Sequence, residues 1–230
     1  MRCEEKVIRP DSLRLNIVTV IIDAGVVSWA SVCNDEISII MGKKKEETRA
    51  RIIKAAGKGI RENGYGGIGV DGIAKEAGVT SGAFYGHFCS KETVFEASVS
   101  TGMKEFVDAV HIWREEKGDQ WLNPFIDWYL SDECRADIGG GCALPGLSAD
   151  VARAGPIVHA AYEKQLIAVI DAVADGLPGR SKAKRGKSAR ALLAILAGAV
   201  MMTRAIESES LAEDIAGAAR VAAKNITADC

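Results

Sequence analysis

Within the stretch from Val70 to Lys91, VDGIAKEAGVTSGAFYGHFCSK, the residues Ala83, Tyr85, Gly86 and His87 bring small and hydrogen-bonding side chains together. They fall on one side of a short helical pattern whose Phe84 and Phe88, four apart, occupy the other. An outer face of this make-up is what a DNA groove would meet. Catalytic and metal chemistries fare worse. Gly186-Lys187-Ser188 ends like a phosphate-binding loop, but Ser181 stands where that loop needs its first glycine, and no strand precedes it. Cys134, Cys142 and His159 match no zinc spacing and lack an evident fourth ligand. No metal, no cofactor and no enzymatic activity are expected. One redox reading stays open: Cys142, beside the loop Gly139-Gly140-Gly141, could act as a sensor if its thiol pKa were low.

Two helical patterns must position the outer face. Val70, Ile73, Ala74 and Ala77 make one apolar stripe, Gly78 suits the left-handed position that ends a helix, and Val79 is a candidate plug between the two helices. Thr80 or Ser81 can cap the second helix. Such a pair describes a helix-turn-helix, although an ordinary helical hairpin fits these residues equally well. Before it, Thr48 to Asn63 carries Ile52, Ile53, Ala56 and Ile60 on one face and ends at Gly64. After it, Ser90 caps a long helix striped by Phe95, Val99, Met103, Phe106, Val110 and Trp113. From Met41 to Phe95 ten basic and six acidic residues give +4, whereas the whole chain is formally −2 and the remainder therefore −6. A basic module on an acidic body suits phosphate contact at one end; the run Lys43 to Lys45 alone also reads as a solvated face.

With its flanks, the segment from about Glu46 to Phe95 closely resembles the DNA-binding domain of the TetR/AcrR family of bacterial transcriptional regulators. The matching residues are ENGY (Glu62 to Tyr65), VDGIAKEAGV (Val70 to Val79), FYGHF (Phe84 to Phe88) and SKE (Ser90 to Glu92). The resemblance implies that Thr80, Ser81, Gly82, Ala83, Tyr85 and His87 face DNA. Tyr85, His87 and Lys91 match phosphate-contacting positions, and Ser81, Gly82 and Ala83 match positions near base edges. Lys43, Lys44, Lys45 and Arg49 complete the expected DNA-binding set. Gly69 and Gly86 depart from the family pattern, each removing a contact that a larger residue would make.

Composition bounds the rest. The 230 residues can hold a small DNA module at 41–90 and a larger helical domain at 91–230. The expected fold class is all-α: an N-terminal three-helix DNA-binding domain with a helix-turn-helix, followed by a helical ligand-binding and dimerisation domain. Six scattered cysteines argue against a disulfide scaffold and for a reduced cytoplasm. No stretch reads as a membrane span: Ile17 to Ala30 is cut by Asp23 and falls short of the roughly 20 residues a bilayer needs. Residues 1–40 lack a helical period and end just before Met41-Gly42-Lys43, which reads like a translation start. They are expected to be a poorly ordered extension or no part of the native chain, with a strand pair as the competing reading.

In the second domain, Trp113, Trp121, Phe125, Trp128, Tyr129 and Tyr162 are candidate walls of a ligand cavity, with Cys142 nearby, although aromatic helix faces are commonly core. Pro156 is expected to start a helix reaching about Asp175, followed by a basic linker from Pro178 to Lys187 and two final helices. The first of these is apolar nearly all round, which points to burial against a second copy through Leu192, Leu196 and Val200, with Ile215 and Ala219 on the other. The expected function is a homodimeric repressor released from a palindromic double-stranded DNA operator by a small-molecule effector. A helical small-molecule carrier without DNA binding is the alternative.

Overall fold

A computed structural model describes residues 19–22, 25–179 and 181–228, with side chains over 42–227 apart from 180. The chain divides into two compact units between Glu47 and Thr48. In the smaller, β1 (Thr19–Ile22) and β2 (Gly25–Ser28) pair antiparallel, Thr19 opposite Ser28 and Ile22 opposite Gly25. Every other element described is helical, so the all-α class holds with this hairpin added.

Helix α1 (Trp29–Gly67) begins far ahead of the expected Thr48. The run from Gly42 to Glu47 carries no β-branched residue and sets Lys43 four before Glu47, a spacing that favours helix. Gly64, at φ 75°, breaks the helical path inside its last turns, as the ENGY segment requires. Then come α2 (Val70–Glu76), α3 (Ser81–Tyr85), α4 (Lys91–Lys117) and, after a single 3-10 turn at Gly118–Gln120, α5 (Leu122–Tyr129). The chain continues through α6 (Asp132–Ala136), α7 (Ala143–Val151), α8 (Pro156–Gly176), α9 (Lys182–Thr203) and α10 (Glu209–Ala228). Pro156 opens α8 as expected, since its missing N–H is one that a first turn leaves unpaired.

The expected basic linker is mostly helix. Ser181 accepts a hydrogen bond from the Lys184 N–H, and the Lys, Arg and Ala residues behind it sustain α9 through Gly186. α9 is long and apolar enough to cross a bilayer, but Ala189, Leu192, Leu193, Leu196, Ala199 and Val200 lie in the protein core.

That burial corrects the expected dimer face. Leu192, Leu196 and Val200 are 0%, 0% and 1% exposed within a single chain, enclosed as α9 packs on α7, α8 and α10, so a second copy cannot reach them. Ile215 and Ala219 are half-buried against the same core. The apolar side chains left outside are Met201 and Met202 on α9 and Leu211 and Val221 on α10.

Two apolar clusters organise the larger unit. One joins Ile52, Ile53 and Ala56 of α1 to Ile73, Ala74, Ala77, Phe84 and Phe88. The other gathers α4, α5, α7, α8, α9 and α10 around Phe95, Met103, Phe106, Trp121, Phe125 and Tyr129. α4 serves both: Val94 and Ala97 belong to the first, Phe95, Val99 and Met103 to the second. Its start is fixed by a capping box, the Ser90 hydroxyl accepting from the Thr93 N–H and the Thr93 hydroxyl from the Ser90 N–H.

Candidate nucleic-acid interface and the cleft behind it

α2 and α3 are too short to hold themselves together and depend on the cluster beneath them. Gly78 takes φ 66°, and the Val79 N–H returns to the Ala74 carbonyl at 2.9 Å, closing the turn between the helices. Thr80, not Ser81, caps α3, its hydroxyl accepting from the Ala83 N–H at 3.1 Å. The Ser81 hydroxyl donates to Asp71 Oδ1 at 2.5 Å and so ties α3 to α2. Phe84 is fully buried and Phe88 nearly so, which turns Thr80, Gly82, Ala83 and Tyr85 outward; Tyr85 is 57% exposed. His87 is half-buried, and its Nδ1 is enclosed without a hydrogen-bond partner. Gly69 leaves α2 without a side-chain cap, and a Cβ there would meet nothing, so the position has room for the larger residue it lacks.

Lys91 opens α4. Its ammonium donates to the Tyr65 carbonyl and lies 4.2 Å from the centroid of the Tyr65 ring, joining the last turns of α1 to α4. Burial lowers its pKa, with Asp150 opposing. The Tyr65 carbonyl takes one of its three N–H bonds. Arg49 stacks over Phe88 at 5.0 Å from the ring centroid. Lys43, Lys44 and Lys45, in the smaller unit, are exposed.

Four of the seven expected cavity residues come together. Phe125, Trp128, Tyr129 and Cys142 line a cleft of about 270 Å³. Trp113 lies just behind, with ring centroids 6.0 Å from Phe125 and 5.9 Å from Trp128. Trp121 is 1% exposed, its indole N–H donating to the Gly176 carbonyl at 3.0 Å, and acts as a core strut away from the cleft. Tyr162 shares a 2.7 Å hydroxyl hydrogen bond with Ser148 in a separate apolar hollow of about 300 Å³ bordered by α7, α8 and α9.

The cleft also takes residues that sequence reasoning missed: Glu105, Phe106 and Ala109 from α4, Glu133 and Cys134 from α6, and Asp137. Gly102 and Ala109, seven apart in α4 with Glu105 between them, were the available signal of a helix face opening on a cavity. One wall is the loop from Asp137 to Cys142, and its back rests on α1. Arg61 donates to the Gly139 carbonyl through Nε at 2.8 Å and Nη2 at 2.5 Å. A Cβ at Gly139 would collide with Glu62 and Lys58, and one at Gly141 with the Asp137 carbonyl and the Arg204 guanidinium.

The sensor reading of Cys142 meets an obstacle here. Burial around the sulfur pushes the thiol up to about 11 from an ordinary 9.0, despite hydrogen bonding with Tyr129 and Leu144 that opposes the rise. Near pH 8 its thiolate population is then about 100-fold below that of an unperturbed thiol, since each pH unit is a factor of ten. Alkylation of Cys142 by iodoacetamide, followed by mass spectrometry, is expected to run far slower than that of exposed Cys89 and to climb with pH toward 11. Equal rates at pH 8 would restore the sensor. Among the described residues no three potential metal ligands converge, and His159 is held elsewhere by the Val151 carbonyl, 2.7 Å away.

A buried turn presenting a short helix, backed by a helical body with a cleft, is the arrangement of a helix-turn-helix unit joined to a larger helical domain. The same arrangement occurs in known proteins. Residues 52–98 match the family model described as bacterial regulatory proteins, tetR family. Solved structures share the fold: Escherichia coli NemR in its reduced form, at 20% identity over 78% of this chain and 97% of that one, TM-score 0.65. A TetR-family regulator of Streptomyces coelicolor aligns at 22% identity over 80% and 96%, TM-score 0.64. One from Cytophaga hutchinsonii aligns at 15% over 81% and 96%, TM-score 0.66. No curated protein matches. The resemblance drawn from ENGY, FYGHF and SKE is borne out: this chain carries the TetR-family DNA-binding segment on the fold of TetR-family transcriptional regulators.

Proposed function

We propose that the protein is a ligand-responsive repressor that binds a palindromic operator as a homodimer and leaves it when a small molecule occupies the cleft. One observation carries this reading: α4 is built into both sites. Its first turns pack under α2 and α3 through Val94 and Ala97, and its middle forms the cleft wall through Gly102, Glu105, Phe106 and Ala109. A ligand that favours one placement of α4 thereby favours one placement of the recognition helix, in proportion to its preference between the two states. With Leu192, Leu196 and Val200 enclosed, the dimer face falls to the outer sides of α9 and α10, at Met201, Met202, Leu211 and Val221.

Footprinting on the DNA flanking the gene tests the reading. A protected palindrome is expected, with affinity falling steeply as salt rises because several phosphates are neutralised. Lys91→Ala and Tyr85→Phe should weaken binding to all sequences alike, by roughly tenfold for the lysine and less for the hydroxyl. Substitutions at Ala83 should instead change the preference among operators. Weak, salt-insensitive binding would support a carrier, and an unchanged preference at Ala83 would remove it from the base-reading set.

A further inference from the structure

We propose that the cleft between α4, α5, α6 and the Asp137–Cys142 loop takes an aromatic organic cation. The proposal names the effector class for the site described above and rests on that reading only for its consequence on DNA. The inner walls are aromatic: Phe106, Phe125 and Tyr129 are nearly fully buried, and their rings meet edge-on or tilted at centroid distances of 5.8 to 6.0 Å. At the rim, Trp128 is 44% exposed. Three carboxylates, Glu105, Glu133 and Asp137, share the lining, and no lysine or arginine does. Glu105 and Glu133 form no salt bridge among the described residues.

The two nearest guanidiniums sit behind the walls and face backbone oxygens. Arg61 donates to Gly139, while Arg204 donates to the carbonyls of Cys134, Arg135 and Asp137. The remaining lining groups that could turn negative are held neutral, since burial raises the Tyr129 phenol and the Cys134 and Cys142 thiols. A second feature points to a ligand apart from charge. The Tyr129 hydroxyl, in a residue 1% exposed, has no partner at full hydrogen-bond geometry beyond the weak interaction it makes with the Cys142 sulfur. A buried hydroxyl whose partner is a thiol, a weak hydrogen-bonding group, keeps capacity that a ligand can complete.

Size limits the class further. A cavity of about 150 Å³ accepts one benzene, so 270 Å³ suits a two-ring body with its charge at the rim. There Trp128 offers its face to a cation and the carboxylates balance it.

The test uses the full chain and three matched probes: (naphthalen-1-ylmethyl)trimethylammonium, its neutral carbon isostere neopentylnaphthalene, and naphthaleneacetate. Binding is read by tryptophan quenching and calorimetry. The cation is expected to bind about tenfold tighter than the neutral isostere, a margin typical of partly desolvated cation–π and ion pairing, and the anion not measurably. Glu105→Gln combined with Glu133→Gln should remove most of that margin while leaving the neutral probe unchanged, and Trp128→Ala should weaken both. Equal or tighter binding of the neutral or anionic probe, a margin that survives the double Gln variant, or no binding of any probe would overturn the proposal. Operator release is measured separately. Selective cation binding without release would count against effector control and leave the class standing, whereas release driven only by uncharged or anionic compounds would do the opposite.

Discussion

Replacing Arg61 with methionine is expected to cut effector-driven operator release by about tenfold, within the usual range of coupling between sites, while ligand-free operator binding changes little. Arg61 is the side chain that joins α1 of the DNA-binding module to the loop walling the cleft. Its guanidinium makes two donations to one carbonyl, Gly139. Its stem fills the space above Gly146, where a Cβ would press on it, and its guanidinium lies beside Gly57 and Gly102. Burial lowers its pKa, opposed chiefly by Glu105, a residue of the cleft lining itself. Methionine keeps the stem that covers Gly146 and removes the donors and the charge, so that packing survives and the connection does not. The buried Gly139 carbonyl then lacks its donors, at a cost of about 2 kcal/mol, which a thermal melt would register as a modest loss. Effector titrations against a labelled operator decide the matter. Release at wild-type effector concentrations would place the coupling in α4 alone.

Phe84→Ala should do more damage, and in one place. Phe84 is fully buried at the centre of the cluster formed by Ile52, Ile53, Ala56, Ile73, Ala74 and Ala77, 5.8 Å from the Phe88 ring centroid. α3 has five residues and no stability of its own, so this ring is what orients Tyr85 and Ala83. Removing it is expected to cost about 3 to 5 kcal/mol, most of what a module of this size can hold. Operator binding should vanish. Ligand quenching of Trp128 in the cleft should persist, because Phe106 and Phe125 belong to the other cluster and Trp128 packs on Phe125. Phe84→Leu, which keeps most of the volume, should recover part of the binding. Loss of both activities in the alanine variant would mean that the two clusters unfold together.

The DNA-binding module was legible because its signals are local. The apolar stripe of α2, the glycine at the turn and the Phe84–Phe88 spacing each lie within one or two helical turns, and each does what its chemistry predicts. The cleft was half legible. Aromatic residues close in sequence drew attention to Phe125, Trp128 and Tyr129, but the same cue gathered Trp121, which props the core, while Tyr162, farther along the chain, faces another hollow. Glu105, Glu133 and Asp137 were invisible for the opposite reason: they come from different elements and look like ordinary solvated acids until the fold sets them around one space. α9 misled because an all-round apolar helix has two explanations. The sequence pattern cannot tell a partner chain from three helices of the same chain, and here α7, α8 and α10 enclose the residues assigned to a partner.

Gly139-Gly140-Gly141 would pass for slack chain by composition, yet it is a fitted plate. Three glycines give an unfolded segment great freedom, so fixing them costs more entropy than fixing any other residues. That cost is offset from one side, by Arg61, Lys58 and Glu62 of α1, and from the other by Asp137, whose carboxylate accepts from the Gly140 N–H at 2.8 Å. The half of the molecule that holds the cleft is therefore not autonomous. A fragment cut away from α1 would lose the backing of its own binding wall, and the DNA-binding module is, in this respect, the missing side of the cleft.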